Sequence, residues 1–253
     1  MLSLYLSLAI TAEPTKHEWK VDDVQRQAIV YASPPKDGVK PPAVFVFHGH
    51  GGTMQQAARS FRMHEHWSEA VVVYPQGLPT PGALTDPDGK RAGWEHTPTQ
   101  KGGRDLKFFD AMLATLKDKY QIDPKRVYAT GHSNGGGFTY LIFSQRQDVF
   151  AAIAPSSCGG AQHLRDAKPV PTFHIAGESD PLVKMTLQQR TIDAVKKLNQ
   201  CESDGKDWAK HCKRYESKSG APLITYIHAG DHKFAQESVP LIVKFFKEHV
   251  RKD

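Results

Sequence analysis

Three polar residues far apart in the chain have the side chains that acyl transfer requires: Ser133, Asp180 and His232. Ser133 stands in Gly131-His132-Ser133-Asn134-Gly135, directly after Val127-Tyr128-Ala129-Thr130 and directly before a run of helical composition. A G-x-S-x-G segment at a strand-to-helix turn puts the serine at the apex, with its hydroxyl projecting from the chain. Glycine fills the places two before and two after because a Cβ there would collide with the neighbouring strand or helix. A helix starting here also aims its unbonded N–H groups and positive dipole end at the point where an oxyanion would form.

A serine hydroxyl needs a base, and the base needs a carboxylate to orient it. Gly177-Glu178-Ser179-Asp180-Pro181 follows the apolar run 170–176, and Ala229-Gly230-Asp231-His232 follows the apolar run 223–228. The acid is assigned to Asp180 over Glu178 and over Asp231, which is adjacent to His232 and points elsewhere. Singly, such residues are ordinary loop polars. Falling after successive strands in the order Ser, Asp, His, they form a nucleophile, acid and base set. The tetrahedral intermediate needs two N–H donors. One is expected from the backbone of Asn134 and the other from His48-Gly49-His50-Gly51-Gly52, at His50 with Gly51 as the alternative. His48 and His50 also have the look of a metal pair, but no third ligand follows at a supporting spacing. Gly135-Gly136-Gly137 lacks the Lys-Ser/Thr of a phosphate loop. Neither metal nor cofactor is expected.

The elements that must carry these residues alternate. Residues 17–31 suggest two strands pairing as an antiparallel edge, and Ala43-Val44-Phe45-Val46-Phe47 is a strand apolar on both faces. A helix is expected over 54–70, then a strand over 70–74, a helix over 105–120, and the elbow strand. Helix 136–146, strands 150–155 and 170–177, helix 185–198, strand 223–228 and helix 237–250 complete the set. The pattern implies an α/β protein with the α/β-hydrolase fold: a mainly parallel central sheet covered by helices on both faces. Residues 76–103 form a long aperiodic loop, of the kind that serves as a lid or binding element. Trp94 lies in it, either stacking on substrate or pinning the loop.

At 253 residues and 39% hydrophobic content the chain reads as one catalytic domain over 13–253. The formal net charge of +6 is spread out, and no basic patch interleaved with aromatics points to nucleic acid. Residues 2–10 are apolar, too short to span a bilayer, and followed by Thr11 and Ala12; 1–12 therefore reads as a signal peptide directing export. Membrane anchorage is not expected, and the oligomeric state is not legible. Cys201 and Cys212 sit close together in a polar segment where a disulfide would suit an oxidising compartment, and Cys158 reads as a buried thiol.

Tyr74-Pro75-Gln76-Gly77, Trp94, and the stretch from Ile122-Asp123-Pro124-Lys125-Arg126 through Ser133-Asn134-Gly135-Gly136 resemble the polyhydroxybutyrate depolymerase and feruloyl esterase family of secreted hydrolases. The resemblance runs from about Glu18 to the C-terminus. It implies an extracellular serine esterase whose triad aligns with Ser133, Asp180 and His232, and a disulfide at Cys201 and Cys212. Substrates would be hydroxyalkanoate oligomers or feruloyl and acetyl esters of polysaccharide. Two departures stand out. Gly230-Asp231-His232-Lys233-Phe234 replaces the family's Gly-Gly-His-x-Trp-Pro, and His50 stands where a cysteine is common. The competing readings are a serine peptidase of the prolyl-oligopeptidase type and a non-catalytic hydrolase-fold binding protein.

Overall fold

A computed structural model describes residues 13–34, 38–82 and 84–252. The segment read as a signal peptide, 1–12, lies outside the described residues. The chain forms β1 (Thr15–Val21), β2 (Val24–Tyr31), β3 (Ala43–Phe47), α1 (Met54–Phe61), α2 (Met63–His66), β4 (Val71–Pro75), β5 (Leu78–Pro79), β6 (Ala92–Gly93) and α3 (Arg104–Lys119). There follow β7 (Val127–His132), α4 (Asn134–Gln145), β8 (Ala152–Ser156), β9 (Thr172–Gly177), α5 (Met185–Leu198), β10 (Lys206–Ala209), β11 (Cys212–Tyr215), β12 (Leu223–His228) and α6 (Val239–Lys247).

Ten strands build one sheet in the order β1-β2-β4-β3-β7-β8-β9-β12-β11-β10. The run from β4 to β12 is parallel, with the antiparallel pair β1–β2 at one edge and β11–β10 at the other. This is the α/β-hydrolase fold. Strands buried on both faces explain the unbroken apolar runs. In β3, Ala43, Phe45 and Phe47 face one core with Leu106, Phe109 and Met112 of α3 and Phe138 and Leu141 of α4. Val44 and Val46 face the other, with Met54 and Phe61 of α1 and Ile242, Phe245 and Phe246 of α6. The chain leaves β3 for β4 on one side and returns to β7 on the other. The carboxyl ends of β3 and β7 therefore flank the crevice where such sheets bind ligands.

Three expectations require correction. The helix expected over 54–70 is broken at Arg62, which adopts a left-handed conformation (φ 46°) and caps α1. The segment between Cys201 and Cys212 is a β-hairpin rather than a loop. The two cysteines are free, because they serve opposite faces of the sheet: Cys201 packs on the core shared by α3, α4 and α5, and Cys212 belongs to the core under α1 and α6.

Candidate active site

The elbow has the geometry its glycines demand. Ser133 sits at φ 56°, ψ −118°, a region that costs a non-glycine residue energy and persists only where surroundings enforce it. A Cβ on Gly131 would come within 3.0 Å of the Gly135 carbonyl group, and one on Gly135 would run into the carbonyl oxygens of Phe47 and His48. Gly136 is equally constrained, by the Ser156 carbonyl at 2.7 Å and Cys158 Sγ at 2.8 Å.

Loops after β7, β9 and β12 bring three side chains together. The Ser133 hydroxyl donates to His232 Nε2 at 2.8 Å, and His232 Nδ1–H donates to Asp180 Oδ2 at 2.7 Å. Asp180 Oδ1 accepts the backbone N–H groups of Leu182 (2.9 Å) and Val183 (2.8 Å). Its carboxylate is sealed from solvent, whereas the imidazole keeps 19% of its surface. The two loops are fastened together: Glu178 N–H donates to the His228 carbonyl and Ser179 N–H to that of Gly230. Gly177 lies at the crossing, where a Cβ would meet the Gly230 and Asp231 carbonyls. Glu178 and Asp231, the rival acids, are exposed.

On the inner side of the imidazole lie His132 and, beyond it, Phe234. His132 lies with its ring centroid 5.0 Å from that of His232. Burial, then the neighbouring imidazole, pushes His132 down to about 4, so it adds no charge beside His232 at neutral pH. Phe234, at the position of the missing tryptophan, stacks on Phe61 at 3.9 Å and turns its edge toward His132.

The loop after β3 supplies the second set of backbone donors. Gly51 N–H is taken by the Ala92 carbonyl at 2.6 Å and Gly52 N–H by that of Gly49 at 2.9 Å, so Gly51 is not the free donor. Among the described residues no protein acceptor takes the N–H of His50, and that of Asn134, first in α4, has no partner in its own helix. His48 and His50 are not a ligand pair. His48 Nδ1–H donates to the Gly49 carbonyl (2.7 Å) and its Nε2 accepts Gly77 N–H (2.9 Å), which fixes a neutral imidazole that burial holds at about 4. His50 turns the other way, onto Asp86.

Trp94 has no exposed surface. Its indole stacks on Phe138 with centroids 5.2 Å apart, and Nε1–H donates to the His48 carbonyl at 2.9 Å. It pins the 76–103 loop; a stacking contact with substrate is closed to it. Next to it, Glu95 and Asp105 exchange bonds, each carboxylate accepting the other's backbone N–H, and Asp105 pairs with buried Arg26 at 2.7 Å. No local periodicity in the sequence signals these buried anchors.

Residues 89–160, which hold the elbow, match the model of the prolyl oligopeptidase family. Feruloyl esterase D of Neurospora crassa is 26% identical over 211 residues, covering 76% of this chain and 68% of that protein. A bifunctional acetylxylan esterase/xylanase of Neocallimastix patriciarum is 34% identical over 151 residues, 56% of this chain and 20% of that longer protein. Among solved structures, a ferulic acid esterase superposes with a TM-score of 0.67 over 93% of this chain and 99% of its own, at 14% identity.

Proposed function

From the α/β-hydrolase fold of this chain and its similarity to feruloyl and acetylxylan esterases, we propose that it is a serine carboxylic ester hydrolase working through an acyl-enzyme. The observation that carries this reading is the continuous hydrogen-bonded line from the Ser133 hydroxyl through His232 to the sealed Asp180 carboxylate. His232 Nε2 removes the hydroxyl proton as Ser133 Oγ attacks the ester carbonyl. Asp180 holds the tautomer and stabilises the imidazolium. The oxyanion is met by the N–H groups of His50 and Asn134, each worth roughly 3 kcal/mol in the transition state. Collapse expels the alcohol, which takes the proton from His232. A water then enters by the same steps, releasing the acid and restoring the serine.

The names of the relatives favour feruloyl or acetyl esters of polysaccharide as substrates, with hydroxyalkanoate oligomers as the second class. Replacing Ser133 with Ala should abolish p-nitrophenyl ester turnover and labelling by a fluorophosphonate; unchanged activity refutes the assignment. Methyl ferulate, acetylated xylan and hydroxybutyrate oligomers, compared side by side, rank the substrates. The match to the prolyl oligopeptidase model favours one rival, a peptidase. Turnover of dipeptide anilides with no preference for esters would establish it. Export is part of the proposal and rests on the apolar run at 2–10; recovery of the protein from the medium with a processed N-terminus is its test.

A further inference from the structure

The side chain of His50 makes contacts that a backbone donor alone does not require. Its Nε2–H donates to Asp86 Oδ2 at 3.0 Å, and both side chains are about nine-tenths buried, at 10% and 9% exposure. The same carboxylate accepts the backbone N–H groups of Arg91 (2.9 Å) and Lys90 (3.2 Å). Asp86 and Gly82 also exchange backbone hydrogen bonds, so Asp86 closes the turn from 82 to 91 upon itself. Those bonds, Arg91 N–H first, hold the carboxyl down to about 2 and leave an anion facing the imidazole.

The ring occupies a slot that two glycines create. A Cβ on Gly82 would lie 2.8 Å from the imidazole Cε1, and one on Gly93 would lie 2.6 Å from Nδ1. Nδ1 is buried and has no hydrogen-bond partner among the described residues. One residue on, Gly51 N–H is tied to the Ala92 carbonyl. The peptide between residues 50 and 51 is thus held on both sides by the 77–93 segment: the His50 side chain on Asp86, the Gly51 amide on Ala92. The His50 N–H itself lies in the preceding peptide, whose Gly49 carbonyl accepts Gly52 N–H at 2.9 Å and His48 Nδ1–H at 2.7 Å; with the His50 α-carbon anchored through its side chain on the other side, that N–H has little freedom to swing.

We propose that His50 and Asp86 are positioning residues for the oxyanion hole, their imidazole–carboxylate bond aiming the His50 N–H at the developing negative charge. This rests on the esterase reading given above. Direction is what matters, because a donor accelerates the reaction only if aligned with the oxyanion and not with the ground-state carbonyl.

The test is steady-state kinetics per active site on the purified full chain, with sites counted by fluorophosphonate titration. His50→Ala and Asp86→Ala should each lower kcat by about 10- to 100-fold with KM within about threefold, short of complete loss of a donor. The double variant should be no worse than the poorer single one, since the two act as a unit. Affinity for an alkyl boronate, which mimics the tetrahedral state, should fall in step with kcat/KM. His50→Gln, which keeps an N–H for Asp86, should recover part of the loss. A purely structural role predicts a lower titratable fraction and melting temperature with kcat per titrated site unchanged; that result, or losses confined to KM, overturns the proposal. Wild-type protein inert both to esters and to the fluorophosphonate would instead overturn the esterase reading, and this inference with it.

Discussion

The side-chain amide of Asn134 grips the backbone of Trp94 at both its polar groups: Oδ1 accepts the Trp94 N–H at 2.7 Å, and Nδ2 donates to the Trp94 carbonyl at 3.0 Å. The residue after the elbow serine therefore has two tasks. Its backbone N–H is the proposed oxyanion donor, and its side chain fastens the 76–103 loop to the start of α4. Asn134→Ala keeps the backbone donor and deletes both loop bonds. At about 1 kcal/mol per bond, plus the Trp94 groups left unpaired, the folded state should lose about 2–3 kcal/mol in urea denaturation. Limited proteolysis should then cut within 76–103 faster than in the unsubstituted protein.

Three consecutive glycines at 135–137 are not equivalent. Alanine at 135 drives its Cβ into the Phe47 and His48 carbonyls, and at 136 into the Ser156 carbonyl and Cys158 Sγ, all backbone or buried atoms that cannot step aside. Each should cost about 3 kcal/mol or more. At 137 the nearest atom is the Gly159 carbonyl oxygen at 3.6 Å, an ordinary contact, and the residue is helical. Gly137→Ala should therefore stabilise the protein by up to about 1 kcal/mol through helix propensity, read as a rise in melting temperature.

Four histidines, His48, His132, His163 and His174, are pushed down to about 4, burial being the first cause in each. In the unfolded chain the same groups titrate near 6.5. Between those values the unfolded state binds protons that the folded state refuses, so stability is whole above pH 6.5 and falls as the pH drops toward 4. For the fully enclosed His48 and His174 the loss is roughly 3 kcal/mol each across that window. His174, whose Nδ1 meets the Tyr140 hydroxyl at 2.8 Å, is the cleanest probe. His174→Gln should flatten the dependence of the urea midpoint between pH 7 and 5 by the equivalent of one proton.

The candidate site was legible where a residue follows a strand. Ser133, Asp180 and His232 could be picked out because apolar runs announce β7, β9 and β12, and a parallel sheet gathers their carboxyl ends. The same logic fails where no such run exists. β10 and β11 are four residues each, with Lys206, Asp207, Lys213 and Arg214 among them, so they read as loop. The disulfide expected at Cys201 and Cys212, from that polar segment and from the family resemblance, fails because closeness in sequence says nothing of sheet faces. Arg62 has no helix-breaking side chain, and nothing in its residue type announces the left-handed cap whose N–H closes on the Ala58 carbonyl. In the 76–103 loop, order comes from buried polar contacts at Asp86, Trp94 and Glu95, the last with Asp105 of α3, which leave no period in the sequence.

Asp180→Asn is the substitution whose outcome the geometry fixes most tightly. Oδ1 of the carboxylate takes two backbone N–H groups, from Leu182 and Val183, while Oδ2 takes His232 Nδ1–H. An amide must keep its single oxygen toward the two N–H donors, so its NH2 group occupies the place of Oδ2. That group can only donate. It forces the proton of His232 from Nδ1 to Nε2, where it points at the Ser133 hydroxyl and cannot accept its proton. Shape and volume hardly change, so the melting temperature at pH 7 should shift little. On the esterase reading, kcat for p-nitrophenyl esters should fall by about 10⁴-fold. A fall smaller than tenfold would mean that another group orients the imidazole and that Asp180 is only a loop anchor.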